Sequence, residues 1–393
     1  MLLGLVGKPS SGKSTFFKAA TLSDVLIASY PFATIEPNHG MGYVRVKSLC
    51  KELGVKCNPR TGYCNGDIRF VPVELMDVAG LVKGASEGKG LGNKFLDDLR
   101  QADVFIQIVD VSGTTDAEGR EGTGNPVEDV TMLEEELDKW YMGIFSKVWD
   151  KFSRTLQTNK TDFAKAVAKQ FSGLKVTEED IKHILIQLKL NPEKPVDWTG
   201  EDLGNFSRTL RRLTKPMIIA ANKVDKPGAK MNFEKLVGEF PDIKIIACSA
   251  DSELSLRQAL KGGMITYVPG SGDFEIHEDK VSEKQKEALL SIKKNVLDTY
   301  GSTGIQDILD IAVFELLKYI AIFPAGSKLS DSKGNILPDC FLLPPGSTAL
   351  DFAYFLHTDI GKAFVKAIDV RTKKAVGKDH PLNHRDGIEI LTN

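Results

Sequence analysis

Residues 2–21, LLGLVGKPSSGKSTFFKAAT, constrain the fold more than any other stretch. An apolar run ends at Gly7, and a helix-forming run starts at Lys13. Between them, Gly7-Lys8-Pro9-Ser10-Ser11-Gly12-Lys13-Ser14 fits the pattern GxxxxGK[ST] in the strand-to-helix setting that the pattern requires. The glycines let backbone N–H groups turn inward, and the helix start that follows adds a favourable partial charge for an anion. Residues 7–14, with Thr15 behind them, are therefore read as a phosphate cradle. Lys13 is placed to reach the outer phosphates and the Ser14 hydroxyl to ligate Mg²⁺.

Four more short apolar runs repeat the first: 71–78, 103–111, 216–223 and 243–250. Separated by helical stretches, they predict an α/β fold with a doubly wound, mostly parallel sheet. Each further motif falls at the C-terminal end of one of these strands, where such a sheet binds its ligand. Two segments interrupt the alternation. GTTDAEGREGTGNP, 113–126, is glycine-rich and polar and reads as a mobile loop. From 127 to 213 apolar residues recur at helical spacing, which predicts an inserted helical subdomain. A helix-rich stretch follows over 254–319, and from 320 short strands surround one amphipathic helix near 348–357. The expected division is 1–126 with 214–270, then 127–213, 271–319 and 320–393.

With 393 residues the chain is too long for one ordinary core. A net charge of −2 gives no global pull toward nucleic acid or membrane, so any RNA contact must be a local patch. No apolar run reaches the roughly 18 residues of a spanning helix. The apolar start runs straight into the glycine loop without a charged lead, and reads as a core strand rather than a signal peptide. Five cysteines point to a reducing cytoplasm. Cys50, Cys57 and Cys64 are evenly spaced but lack the close CxxC pair of a zinc site. They are read as ordinary loop thiols, with a metal clip or a disulfide as the sharper alternative.

The remaining motifs complete a nucleotide site. Thr34, in YPFATIEPNHG, is placed to close on Mg²⁺ beside a γ-phosphate. Asp77 ends a strand and would hold Mg²⁺ through water, with the Gly80 N–H sensing the γ-phosphate. Asn222-Lys223-Val224-Asp225 follows a strand and matches NKxD. Its carboxylate can accept from both N1–H and the 2-amino group of guanine, a pairing that adenine cannot offer. Ser249-Ala250 matches the last motif, whose backbone N–H would meet the guanine oxygen. Where many switch proteins carry a water-orienting glutamine, this chain has Leu81, followed by Val82. An aliphatic side chain cannot hold a water, so intrinsic hydrolysis is expected to be slow. Glu87 in the same loop is a candidate for that role, with a solvated loop charge as the plainer reading.

Taken together, YPFATIEPN, DVAGLVKGASEGKGLGNKFLDDLRQAD and the tail from GSTALDFAYFLHTDIGKAFVKAI onward resemble the Obg-related GTPases of the translation-factor class. The similarity is to an archaeal and fungal branch beside YchF, and the tail resembles a TGS domain of the β-grasp type. YchF-type members lack the aspartate of the base-reading motif and are similar to ATPases; Asp225 here implies GTP and GDP. The resemblance implies Mg²⁺ as cofactor. Many relatives have asparagine, in some of them a potassium ligand, where this chain has the shorter Ser10, so K⁺ stays open. It also implies a ribosome or RNA partner, through the TGS-like tail or the helical insert. The tail carries a basic cluster of Arg371, Lys373 and Lys374, and the stretch 147–189 leans basic. A YchF-like ATPase and a nucleotide-occupied binding module with negligible turnover are the alternatives.

Overall fold

The computed structural model describes residues 1–21, 39–78, 80, 84, 99–159, 161–326, 329–331 and 333–393. Along the first part of the chain the elements are β1 (Leu2–Val6), α1 (Lys13–Thr21), β2 (His39–Lys47), β3 (Tyr63–Asn65), β4 (Ile68–Asp77) and β5 (Val104–Asp110). Next come α2 (Pro126–Asn159), α3 (Phe163–Gln170), α4 (Glu178–Leu188), α5 (Gly200–Thr214), β6 (Met217–Asn222), α6 (Ala229–Glu239), β7 (Lys244–Cys248) and α7 (Ala250–Lys261). The chain divides into two compact units, residues 1–15 with 76–250 and residues 16–75 with 251–393.

In the first unit β1, β5, β6 and β7 lie side by side in that order, every pair parallel. β1 and β5 are buried along their whole length, as continuous apolar runs require when both faces of a sheet are covered. The register sets Asp110 beside Asn222, and Asn222 beside Cys248, so three strand ends finish level. This common edge positions the site described below.

The helical insert is built on α2, a 34-residue helix. Pro126 starts it without losing a needed donor, Glu128 and Asp129 sit in its first turn, and Asn125 Oδ1 accepts from Val127 N at 3.2 Å. Its buried stripe includes Val130, Leu133, Leu137, Tyr141 and Phe145 at three- and four-residue spacing. Phe145 stacks on Phe171 at 4.0 Å, and Phe163, Trp149, Trp198 and Phe206 extend the aromatic core. Capping boxes at Thr177/Asp180 and Thr199/Asp202 begin α4 and α5.

The stretch 113–126 is more ordered than its composition predicts. Backbone bonds tie Gly124 N to Gly113 O at 2.9 Å and Gly122 N to Thr114 O at 3.0 Å. The Asp116 carboxylate accepts from Glu118 N and Arg120 N, which closes the turn.

In the second unit β2 lies beside β4, and β3 pairs antiparallel with β4. β2 is absent from the strands expected from sequence: its glycine-rich start reads as loop, although Val44 and Val46 alternate inward as a half-buried strand demands. The expected helix-rich stretch 254–319 also holds a small antiparallel hairpin, β8 (Ile265–Tyr267) and β9 (Phe274–Ile276). Ile265 and Tyr267 form a core with Leu256, Leu289 and Leu297. The C-terminal elements are β10 (Ile320–Pro324), β11 (Phe341–Leu343), α8 (Ala349–Leu356), β12 (Phe364–Asp369), β13 (Ala375–Val376) and β14 (Asp386–Thr392). Their sheet runs β11-β10-β14-β12-β13, with β10 and β14 parallel and the other pairs antiparallel. Phe352 and Ala349 of α8 pack on Ile322, Leu343, Ala367 and Ile388. Among the described residues, no helix is long and apolar enough to cross a membrane.

Candidate nucleotide site

The turn between β1 and α1 needs unusual backbone. Gly7 has φ 149°, Ser10 φ 58° and Gly12 φ 98°. A side-chain carbon at Gly12 would sit 2.2 Å from Asn222 Nδ2, so only glycine fits there. The Lys13 ammonium folds over the turn and donates to Gly7 O at 3.1 Å and Lys8 O at 2.9 Å. Burial lowers its pKa, against the opposing pull of Asp77. Ser11 Oγ braces the turn through Lys8 O at 3.0 Å. Pro9 lies against Gly80, where a side-chain carbon would stand 3.1 Å from Pro9 N. Ser14 is exposed and Thr15 half-buried at the start of α1.

Ser14 Oγ donates to Asp77 Oδ2 at 2.9 Å. Burial pushes the Asp77 carboxyl above its ordinary range, while Ser14 and Lys13 pull the other way. Two oxygens of the hard type that Mg²⁺ prefers thus meet at one point, and the half-buried carboxylate favours an added positive charge. The donor set fits Mg²⁺.

The residues of the NKxD match and of Ser249-Ala250 form a second cluster on the same edge. Asn222 donates from Nδ2 to Ser11 O at 2.9 Å and accepts at Oδ1 from Ala250 N at 3.0 Å. One side chain therefore ties the 7–14 turn to the 249–250 loop. Lys223, with φ 67°, donates to Ser10 O at 3.0 Å and to Asp110 Oδ2 at 2.7 Å. Asp225 accepts from Ser249 Oγ at 2.8 Å and pairs with Lys226 at 3.2 Å. That leaves its carboxylate oriented by a hydroxyl, as a two-point acceptor for a base edge would be. Thr34 lies outside the described residues, as do Leu81, Val82 and Glu87.

Two residues of this cluster are absent from the sequence expectations. Asp110 accepts from Lys223, from Ser112 Oγ at 2.5 Å and from Thr115 Oγ1 at 2.8 Å. Burial raises its pKa, but these donors outweigh burial and hold the carboxyl below its ordinary value. Its signal was available: a carboxylate closing the buried strand VFIQIVD at the ligand edge. Asp129 is the other. Lys8, expected to contact phosphate, directs its ammonium to Thr115 O at 2.8 Å and to Asp129 Oδ2 at 2.8 Å. What Lys8 offers an anion is its backbone.

Residues 2–146 match the model described as 50S ribosome-binding GTPase. Residues 220–326 match the Obg-like GTPase YGR210-like, G4 motif-containing domain, and residues 320–392 the TGS domain. A GTP-binding protein of Methanocaldococcus jannaschii is similar at 49% identity, covering 100% of this chain and 99% of that one. The ribosome-binding ATPase YchF of Buchnera aphidicola is 27% identical over 95% of this chain and 91% of its own. The crystal structure of a GTP-binding protein from Pyrococcus horikoshii superposes with a TM-score of 0.80, at 39% identity and full coverage of both chains. The chain belongs to the Obg-like, YchF-type family of P-loop GTPases that carry a C-terminal TGS domain.

Proposed function

We propose that the chain is a Mg²⁺-dependent switch that binds GTP and GDP and hydrolyses GTP slowly. The observation that carries this reading is Asn222, whose two hydrogen bonds couple the 7–14 turn to the loop that presents Asp225, Ser249 and Ala250. Phosphate is assigned to residues 7–15, and guanine to Asn222, Lys223, Asp225, Ser249 and Ala250. Mg²⁺ is assigned to Ser14, Thr34 and Asp77; when bound it supplies positive charge to the transferring phosphoryl group. Lys13, Thr34 and Gly80 take the catalytic roles, Lys13 by neutralising charge on the outer phosphates. With Leu81 where a glutamine would orient water, turnover is slow until a partner or a cation supplies the missing element. The nucleotide work is assigned to 1–126 with 214–270, and signalling to the insert at 127–213 and, through 271–319, to the TGS domain at 320–393.

A ribosomal or RNA partner is proposed on two grounds. A relative is named a ribosome-binding ATPase, and the insert exposes Lys147, Lys151, Arg154, Lys165 and Lys182. The tail contributes less than its sequence implies, because Arg371 pairs with Glu52 at 3.0 Å and Asp386 at 3.6 Å. That relative's name also keeps a second reading, an ATPase, in play. The deciding experiment measures equilibrium affinities for GDP and ADP with Mg²⁺ on the same purified chain. GDP binding far more tightly supports the assignment to guanine. ADP binding as tightly overturns it and leaves the ATPase reading. Asp225→Glu is expected to weaken the preference for GDP.

A further inference from the structure

We propose that Cys50, Cys57 and Cys64 bind one zinc ion as a three-thiolate site beside the buried guanidinium of Arg69. The sequence spacing argued against this, because seven-residue steps place no two thiols close along the chain. The fold does what the spacing does not. The three sulfurs lie within 4.8 Å of one another. In a tetrahedral zinc site with Zn–S near 2.3 Å, sulfurs stand about 3.8 Å apart. Cys57 and Cys64, at 2.7 Å, need open by only about 1 Å to reach that spacing. The fourth position falls to solvent or to the buried Ser48 hydroxyl, 2.7 Å from Cys50 Sγ.

Charge balance is the independent observation. Arg69 is 1% exposed. Its guanidinium donates to Thr61 O at 2.8 Å, Pro338 O at 2.7 Å and Leu337 O at 3.3 Å, and reaches Cys64 Sγ at 3.9 Å. Its Nε has no hydrogen-bond partner, and among the described residues no carboxylate pairs with it. Buried charges are rarely left without a counter-charge. Three neutral thiols supply none, and a Cys64 thiolate, favoured by the Cys57 S–H and by Arg69, supplies one only while it stays unprotonated. Zinc binding releases three thiol protons, and the resulting site of three thiolates and one Zn²⁺ carries a net charge of −1, which neutralises Arg69.

The segment would also gain a cross-link. Residues 48–62 form neither helix nor strand, and Ser48, Leu49 and Cys50 are the residues buried within them. With so little apolar burial the segment is held by hydrogen bonds and ion pairs, and a metal would add a cross-link to them. The segment in turn carries the residues before β11: Asn58 N donates to Ile336 O at 2.8 Å and Arg60 N to Pro338 O at 2.9 Å. Zinc here would hold the surface on which the entry to the TGS domain is paired.

The test uses the untagged full-length chain, purified in reductant without chelator and read by elemental analysis. About one Zn²⁺ per chain is expected, retained through a chelating resin. Co²⁺ loading should add an intense thiolate-to-metal charge-transfer band. Cys57→Ser and Cys64→Ser should each lower zinc to less than about a tenth of that level. If a variant fails to fold, the Co²⁺ spectrum of the unmutated chain decides. Absence of zinc and of the cobalt band after loading with excess metal overturns the proposal. So does a fall from five to three titratable thiols in denaturant without reductant, which would show a disulfide.

Discussion

Lys8→Met should be among the most damaging substitutions in the phosphate turn, although Lys8 need not touch phosphate through its side chain. The Lys8–Asp129 pair is 2.8 Å long, with side chains 2% and 10% exposed. Removing one partner of a buried pair strands the other, at a cost of about 3–5 kcal/mol. Thr115 O also loses its donor, which adds about 1 kcal/mol. Burial already raises the Asp129 pKa, and nearby Asp110 opposes its charge as well. In Lys8→Met the folded carboxyl holds its proton still more tightly than the unfolded one. Stability is then lost as pH rises through the folded pKa, so the variant should be weaker at pH 8 than at pH 5. Adding Asp129→Asn should recover on the order of 2 kcal/mol, because no charge is left unpaired. Trp140, Trp149 and Trp198 all lie in or beside the helical insert, so urea unfolding read by tryptophan emission reports on the right unit. A Lys8→Met cost below about 1 kcal/mol, or strict additivity in the double variant, would refute the argument.

Asn222→Ala removes both ties between the phosphate turn and the 249–250 loop. At about 1 kcal/mol each, GDP affinity should fall roughly 10- to 100-fold by calorimetry. At Asp77 burial raises the pKa, so proton and Mg²⁺ compete for one carboxylate. Acidification should weaken Mg²⁺-dependent GDP binding more than Mg²⁺-free binding, and Asp77→Asn should erase the difference. Lys215, fully buried and donating to Arg100 O at 2.8 Å, has its pKa pushed down to about 8 by burial. Between that value and the ordinary 10.5 the unfolded chain binds the proton and the folded chain does not. Stability should therefore rise with pH across this window relative to Lys215→Met, as urea midpoints at pH 8 and pH 10 would show.

What the amino-acid sequence determined by itself was everything that local chemistry dictates. A buried parallel strand must be a continuous apolar run, so β1, β5, β6 and β7 were legible within a residue or two of their ends. The residues of the GxxxxGK[ST] and NKxD patterns were legible too, because contiguous backbone must cradle a phosphate or read a base edge. The helix at 349–356 and the insert announced themselves by spacing. β2 did not, because glycines at its start mimic a loop and only its partner strand makes it a strand. Tertiary structure alone decided the pairings between distant residues. Lys223 meets Asp110, Lys8 turns its ammonium to Asp129, and Arg371 is consumed by Glu52. It also brings three evenly spaced cysteines to one point beside Arg69. No one-dimensional period encodes such contacts, because each depends on where two separate turns of backbone end in space.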